Sequence, residues 1–227
     1  MSGLAGWISD NLDLTKQEQI LSKMSLTLKN RGPDDFGELV MPNAALLHRR
    51  LKISQSDTAQ PLTIISKGQK YTLVFNGELY NAQEVSAELK SLGFEFESNS
   101  DAEVVLYAYI QWGKNCLNKF NGVFALGIWE HNDKRLFLAR DRLGVKPLFY
   151  YLYDNSIQGK GIIFASEIKA LLQNPLVERV VDLEGLRQMF LLGPGKKLGS
   201  GIIKNMQEIK PAHYMIFQDN SCEINQY

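Results

Sequence analysis

The order of its helical and strand patterns is the feature that most constrains how this chain folds. Strand patterns of alternating or continuous apolar residues lie at 3–8, 44–53, 71–75, 124–129, 135–139, 149–153, 162–165 and 214–218. Helical spacing of apolar residues lies at 20–28, 82–92, 101–112, 167–172 and 183–191. Helices and strands therefore do not alternate one by one, as they do in parallel βαβ units. The order predicts an α+β fold with layered antiparallel sheets.

Three of the predicted helices are preceded by residues that cap helices. Thr15 with Glu18 and Ser100 with Glu103 have the spacing of a capping box, in which hydroxyl and carboxylate each accept a backbone N–H. Asp182 stands immediately before the last helical pattern and fits the N-cap position. We therefore expect helices to begin at these three places.

The composition is that of an ordinary globular domain. Of 227 residues, 44% are hydrophobic and 22% charged, and 25 basic residues balance 25 acidic ones. This balance predicts neither a nucleic-acid nor a membrane partner, and neither a bilayer-spanning run nor a signal peptide is present. Cys116 and Cys222 lie far apart without metal-ligand spacing, so we expect reduced thiols and a cytoplasmic protein.

Polar residues of the kinds that bind small polar ligands lie at or near the ends of two of the strand patterns. Arg50 lies near the end of one, where a guanidinium can bind a carboxylate through two hydrogen bonds. Taken alone, the pair Arg49-Arg50 favours a solvated basic surface. Asn76 and Gly77 follow the strand at 71–75 and offer amide and backbone N–H groups to a developing negative charge. Taken alone, the same dipeptide predicts a hairpin turn. Glu78 comes next, at a position that we expect to be buried.

Other polar positions have a structural interpretation beside a functional one. Asp101 can bind an ammonium group, yet it also fits the first turn of a helix capped by Ser100. The run at 139–148 is a charged turn between strands, which by itself predicts a salt-bridged corner. Once Met1 is removed, Ser2 combines a hydroxyl with a free α-amine, a pairing that supports acyl transfer.

Together these stretches resemble the class II glutamine amidotransferase domain of glutamine-dependent asparagine synthetases. The resemblance runs in order over nearly the whole chain, through Met1-Ser2-Gly3-Leu4-Ala5-Gly6, Arg31-Gly32-Pro33-Asp34, His48-Arg49-Arg50-Leu51, Gln60-Pro61, Asn76-Gly77-Glu78-Leu79-Tyr80-Asn81, Ser100-Asp101-Ala102-Glu103, the run 139–148 and Ala165-Ser166-Glu167-Ile168-Lys169-Ala170-Leu171. It implies a four-layer αββα sandwich of two antiparallel sheets, the N-terminal-nucleophile hydrolase fold. It also implies a glutaminase domain at 1–192, with 193–227 as the C-terminal end of the same domain leading toward a synthetase domain absent from this chain.

The resemblance implies a role for each candidate site residue in hydrolysing the side-chain amide of glutamine. Ser2 would be the nucleophile, with its own α-amine as the base. Asn76 and Gly77 would form the oxyanion hole. Arg50 would bind the α-carboxylate of glutamine, and Glu78 and Asp101 its α-ammonium group. The ammonia would amidate aspartate in a synthetase domain in cis or in trans, where ATP and Mg are expected. No cofactor is expected in this chain, which lacks a Ser-Gly-Gly-x-Asp-Ser loop, and a homodimer stays open.

Two positions depart from the family pattern. The family nucleophile is cysteine, and a serine hydroxyl holds its proton far more tightly than a thiol of pKa about 8.5, so we expect Ser2 to allow glutamine binding with slow or absent hydrolysis. Three explanations stay open: an engineered replacement, a working serine, or a natural loss that leaves a structural or glutamine-sensing role, as in relatives resembling β-lactam synthetases. Asn30 replaces the usual histidine, near the expected nucleophile.

Overall fold

The computed structural model describes residues 1–52, 58–192 and 197–227. Within these ranges the strands are β1 (Gly3–Ser9), β2 (Asp35–Val40), β3 (Ala44–Arg50), β4 (Leu62–Ser66), β5 (Gln69–Leu79), β6 (Gly122–Glu130), β7 (Arg135–Arg140), β8 (Phe149–Asn155), β9 (Gly159–Ala165), β10 (Met206–Glu208), β11 (His213–Gln218) and β12 (Ser221–Gln226). The helices are α1 (Glu18–Thr27), α2 (Ala82–Ser91), α3 (Asp101–Trp112), α4 (Ile168–Leu171) and α5 (Leu183–Leu192), with short 3₁₀ helices at Leu14–Lys16 and Gly113–Lys119.

The strands form two six-stranded antiparallel sheets. The first has the order β10-β8-β9-β1-β3-β2 and the second the order β12-β11-β7-β6-β5-β4. The eight strands predicted from the sequence are the interior strands of these sheets, and the four at the edges, β2, β4, β10 and β12, were not predicted. Strand β3 ends at Arg50, and Ile53 of the strand predicted at 44–53 lies outside the described residues.

Alternating side chains divide the core into three layers, because successive residues of a strand face opposite sides of a sheet. In β1, Ala5 and Trp7 pack with Leu21 of α1 on the outer face of the first sheet, whereas Leu4 and Ile8 pack between the two sheets. Helices α2 and α3 cover the outer face of the second sheet in a third cluster. The resulting order of helix, sheet, sheet and helix confirms the predicted four-layer α+β sandwich.

Two of the three predicted helix starts are confirmed. The Ser100 hydroxyl accepts the Glu103 N–H (3.3 Å) at the start of α3, although the Glu103 carboxylate turns back to the Ser98 N–H (2.8 Å) instead of completing the capping box. At the start of α5 the Asp182 carboxylate accepts the Gly185 N–H (2.6 Å). Each side chain satisfies a backbone donor that has no partner inside its helix.

The capping box predicted at Thr15 and Glu18 is wrong. Thr15 lies inside a 3₁₀ helix, where its N–H and hydroxyl both donate to Asp13 (3.2 and 2.6 Å). Helix α1 begins only at Glu18, after Gln17, which makes no side-chain capping bond. The competing signal was Asp13, whose carboxylate binds the Thr15 hydroxyl and so removes it from the capping position.

The hairpin turn that Asn76-Gly77 predicts by itself does not form. Strand β5 continues through both residues to Leu79, and Gly77 lies directly opposite Phe124 of β6. A Cβ at Gly77 would lie 2.4 Å from the Val123 carbonyl oxygen and 2.7 Å from the Phe124 Cα, so only glycine allows the two strands this close an approach. Tertiary pairing therefore overrides the local turn signal.

The cysteines and the helices agree with two further expectations. Cys116 is buried, Cys222 is exposed, and both are free thiols. Within the described ranges, no helix is long and apolar enough to cross a membrane. Strands β10, β11 and β12 lie beyond residue 192 and extend both sheets, whereas residues 193–196 lie outside the description. The division of the chain at 192/193 stays a prediction.

Candidate active site

A pocket of about 330 Å³ gathers all six candidate site residues. Its wall includes Ser2, Arg50, Asn76, Gly77, Glu78 and Asp101. The volume lies at the lower end of the range for small-molecule pockets, as suits a ligand the size of an amino acid. Residues separated by up to 99 positions in the chain are therefore brought to one place by the two sheets and α3.

Strands β1 and β3 deliver their polar side chains through the period-two pattern. Leu4 of β1 packs between the sheets, and Ser2 precedes it by two residues, on the same face. Leu46 of β3 also packs between the sheets, so His48 and Arg50 follow on that face. The layer between the sheets thus passes from an apolar core into a polar pocket at one end.

Strand β5 continues the same layer. Val74 packs between the sheets, which places Asn76 and Glu78 on that face. Asn76 is only 2% exposed. Glu78 is exposed, which corrects the buried position expected from the sequence. The reason is that Glu78 is the last residue but one of β5, where the strand leaves the core at the rim of the pocket.

Asn76 carries a buried donor that no described residue satisfies. Its side-chain Nδ2 is inaccessible to solvent and makes no hydrogen bond within the described part of the chain. A buried polar group left unpaired costs about 1–3 kcal/mol, so such groups are rare and call for an explanation. Asn76 lines the pocket, so an oxygen atom of a ligand there would supply the missing acceptor once the side-chain amide turns its donor toward it.

Gly77 presents a backbone donor beside Asn76. The Phe75 N–H donates to the Gln60 side-chain oxygen and the Leu79 N–H to the Asp101 carboxylate, each at 2.7 Å. Both donors point away from β6. Because alternate residues of a strand direct their N–H groups to the same side, the Gly77 N–H points to this same open edge, between Gln60 and Asp101. The two donors form the kind of pair that stabilises an oxyanion.

Ser2 is fixed by contacts on both its hydroxyl and its carbonyl. The hydroxyl oxygen accepts the Leu51 N–H (3.2 Å), and the carbonyl accepts Arg31 Nε (3.0 Å). Arg31 is held in turn by an ion pair with Glu167 (3.2 Å). Burial alone would raise the pKa of Glu167, but hydrogen bonds from Lys169 and Arg31 outweigh it and lower that pKa below its ordinary value.

The turn after α1 brings Arg31 to Ser2. Gly32 packs directly on β3, where a Cβ would lie 2.2 Å from the carbonyl carbon and oxygen of Arg49. No residue with a side chain fits that approach, so the glycine fixes how the turn passes the strand. Asn30, expected near the nucleophile, is exposed and is not part of the pocket wall. Arg31 is the functional neighbour of Ser2 that this turn supplies.

The α-amine at the N-terminus lies in an unusual electrostatic setting. Burial lowers the pKa of the Met1 α-amine below its ordinary value, and the positive charges of Arg31 and Lys146 lower it further. Asp34 acts in the opposite direction. Met1 and Ser2 both line the pocket, so removal of Met1 would leave the new α-amine at the Ser2 nitrogen, inside the same environment.

Arg50 contributes a positive charge to the pocket wall. Its guanidinium binds Asp35 at 2.7 Å, and these two residues lie directly opposite each other in the pairing of β2 with β3. The arginine side chain is mostly buried, whereas Asp35 is half-exposed. Asp35 thus orients the guanidinium from the solvent side while Arg50 faces the pocket.

The charged turn at 139–148 is a structural corner, as predicted. Arg140 forms a buried ion pair with Glu208 (3.0 Å) and donates to the carbonyl of Lys146 (2.8 Å). The Asp141 carboxylate accepts backbone N–H groups from Lys146 (3.0 Å) and Phe124 (3.3 Å). The corner also brings Lys146 into the pocket wall, which the sequence did not suggest.

A family profile described as a glutamine amidotransferase domain matches residues 1–227. The chain belongs to the glutamine amidotransferase domain family. The domain is 40% identical over 228 residues to asparagine synthetase [glutamine-hydrolyzing] 3 of Bacillus subtilis (strain 168), covering 100% of this chain and 36% of that protein. It is 35% identical over 164 residues to asparagine synthetase B of Escherichia coli (strain K12), covering 72% of this chain and 28% of that protein. The resemblance stated from the sequence is confirmed.

The domain spans only about a third of the length of these curated relatives. Its fold matches glutamine phosphoribosylpyrophosphate amidotransferase from Bacillus subtilis with a TM-score of 0.70 at 18% identity, covering 99% of this chain and 49% of that one. The predicted N-terminal-nucleophile hydrolase fold of the amidotransferase domain is confirmed.

Sequence reasoning assigned no role to four polar residues of the pocket wall, His48, Thr58, Gln60 and Lys146. His48 is buried and contacts the Phe75 carbonyl (3.1 Å). The sequence contained a signal for it: His48 precedes Arg50 by two residues, so the two side chains lie on the same face of β3. Gln60 lies outside the predicted elements, and its contact with Phe75 depends on tertiary structure. Lys146 was included in a recognised motif but was read only as part of a corner.

Proposed function

We propose that this amidotransferase domain binds L-glutamine in the pocket, with the side-chain amide against Ser2. The observation that carries the proposal is the unpaired, buried Nδ2 of Asn76 beside the outward N–H of Gly77. Asn76 and Gly77 line the pocket with Ser2, so an amide oxygen bound between their donors would bring its carbon to the nucleophile position. Relatives named as glutamine-hydrolysing support the same substrate.

The charges of the pocket suit the other end of the amino acid. A zwitterion needs one cationic and at least one anionic partner, and the wall supplies Arg50 with Glu78 and Asp101. Arg50 would bind the α-carboxylate beside its existing contact with Asp35. Asp101 and Glu78 would bind the α-ammonium group, and the Leu79 N–H holds the Asp101 carboxylate in place.

The proposed reaction starts when Met1 has been removed and the residue-2 amine is free. The amine takes the proton from the side chain of residue 2, whose oxygen or sulfur attacks the amide carbon. Asn76 and Gly77 stabilise the oxyanion, and the amine returns the proton to the departing nitrogen, releasing ammonia. Water then hydrolyses the acyl group to glutamate. With Ser2 in place we expect binding and very slow turnover, because the hydroxyl is the weaker nucleophile.

The wider role follows from the relatives. Since the domain spans about a third of their length, we propose that it serves a synthetase domain in cis or in trans, which would use ATP and Mg to amidate aspartate with the ammonia. We propose a glutaminase unit at 1–192 with 193–227 as its C-terminal end, and a cytoplasmic location. None of these roles requires a cofactor in this chain.

A second function is favoured by Ser2 itself. A domain that keeps the glutamine pocket but not the family's cysteine would bind glutamine without consuming it, in a structural or sensing role. The two functions differ in one measurable property, because the sensing domain has no glutaminase activity in its natural form. Sequencing codon 2 of the natural gene separates engineering from natural loss: a cysteine codon rules out natural loss, and a serine codon rules out engineering.

The test of the main proposal is a rescue experiment. We expect Ser2→Cys, with removal of Met1 verified by mass spectrometry, to release glutamate from glutamine far faster than the Ser2 protein. Ser2→Ala is the matched control and releases none. If the Ser2→Cys protein has a free N-terminus, is folded and still forms no glutamate, the proposed reaction is wrong.

A further inference from the structure

Lys146 is a mostly buried lysine whose ammonium group pairs with no described residue. It lines the pocket with only 9% of its surface exposed. Its backbone N–H and carbonyl are hydrogen-bonded, but the ammonium group makes no hydrogen bond or ion pair within the described residues. Lysine side chains are seldom this little exposed unless their charge is paired. The position therefore needs a functional explanation.

The backbone at Lys146 is fixed relative to the oxyanion donors. Arg140 holds its carbonyl (2.8 Å), and Asp141 accepts its N–H (3.0 Å). The same Asp141 carboxylate accepts the N–H of Phe124 (3.3 Å), which lies directly opposite Gly77 in the sheet. A short chain of hydrogen bonds thus links the backbone of Lys146 to Phe124 of β6, the residue paired with Gly77, and Lys146 and Gly77 line the same pocket.

Two other cations near the N-terminus, Arg31 and Arg50, have counter-ions. Arg31 pairs with Glu167 (3.2 Å), and Arg50 pairs with Asp35 (2.7 Å). The charged and titratable groups that face the terminal amine, or share the pocket wall with it, are Arg31, Asp34, His48, Lys146, Arg50, Glu78 and Asp101. Burial contributes most to the lowered pKa of the Met1 amine, followed by Arg31 and Lys146, with Asp34 opposed. Lys146 is the cation in this group whose charge no described carboxylate offsets.

We propose that Lys146 is a positioning residue for the nucleophile: its positive charge in the pocket wall disfavours a second positive charge at the residue-2 amine and so keeps that amine available as a base. The inference rests on the proposed function, in which the amine of residue 2 accepts the proton. It gives Lys146 no contact with glutamine. Lys146→Met, of similar length, removes the charge, and Lys146→Arg keeps it.

The first test titrates the amine without catalysis. In the Ser2 protein lacking Met1, the rate of N-terminal acetylation by acetic anhydride is followed by mass spectrometry as a function of pH. We expect Lys146→Met to move the curve to higher pH and Lys146→Arg to leave it near the parent curve. Coincident curves for parent and Lys146→Met, or an arginine variant that behaves like the methionine variant, would overturn the inference.

The second test uses the Ser2→Cys background. We expect Lys146→Met to move the acidic limb of kcat/KM for glutamine to higher pH, lowering the rate on that limb about tenfold for each pH unit of displacement while the high-pH plateau and KM stay unchanged. A raised KM with an unmoved limb would place Lys146 on the substrate and contradict the inference. If Ser2→Cys is inactive while the acetylation curves still separate, the proposed function fails but the electrostatic role of Lys146 stands.

Discussion

Replacing Asn76 separates the stability of this domain from its activity. Leucine has the branching of asparagine without its polar atoms, so Asn76→Leu removes a buried donor that has no partner among the described residues. Such a donor costs about 1–3 kcal/mol. Allowing for the leucine's contact with a polar pocket, we expect the variant to be about 1 kcal/mol more stable, with a Tm about 2–4 °C higher. In the Ser2→Cys background, loss of an oxyanion donor lowers kcat about 10²–10³-fold.

Asn76→Asp is the matched control for that experiment. It keeps the shape but replaces the donor with a carboxylate oxygen at a site only 2% exposed, so activity falls as in Asn76→Leu while stability falls as well. Urea unfolding and glutamate release are measured on both variants. If both lose stability and both keep their kcat, Asn76 is a structural residue and the oxyanion assignment is refuted.

Three further predictions follow from other contacts. Gly77→Ala places a Cβ 2.4 Å from the Val123 carbonyl oxygen. We therefore expect the free energy of unfolding, measured in urea, to fall by about 1–3 kcal/mol. A variant as stable as the parent would contradict the strand pairing. Asp101→Asn keeps an acceptor for the Leu79 N–H (2.7 Å) but removes the negative charge. Calorimetry on the Ser2 protein should therefore show glutamine binding about 10–100-fold weaker, with an unchanged Tm. Equal affinity would show that Asp101 does not bind the α-ammonium group. Burial, then the Lys70 charge, lowers the pKa of His131 from 6.5 to about 4. As the pH drops from about 6.5 to 4, the unfolded chain therefore takes up the His131 proton before the folded one, and the free energy of unfolding falls by about 1 kcal/mol after solvent screening. In urea unfolding, His131→Gln should make the free energy of unfolding less dependent on pH over this range. The same pH dependence in variant and parent would refute the assignment.

The sequence predicted the strands that the core requires and missed those at the sheet edges. An interior strand such as β6 is buried along most of its length, which gives a clear apolar pattern. Edge strands β2 and β4 have one neighbour each and few buried residues, so their sequences carry polar and exposed positions. Their pairing is decided by the neighbouring strand, which no local window contains.

The site was predicted residue by residue from a resemblance, not from local pattern. Local pattern gave a turn at Asn76-Gly77, whereas β6 pairs with both residues and keeps them in a strand. The same pattern treated Lys146 as part of a corner, because nothing near it in sequence reveals that its side chain reaches a pocket shared with Ser2. What the structure adds is the layer between the sheets, where side chains of β1, β3 and β5 meet.

The orientation of glutamine in the pocket is the central claim, and a crystal structure of the Ser2 protein with L-glutamine tests it most directly. Slow turnover at Ser2 should allow the intact substrate to be captured. We expect the side-chain amide oxygen to accept hydrogen bonds from Asn76 Nδ2 and the Gly77 N–H, with the amide carbon beside the Ser2 hydroxyl and the α-carboxylate on Arg50. Glutamine bound in the reverse orientation, or outside this pocket at saturating concentration, would contradict the account.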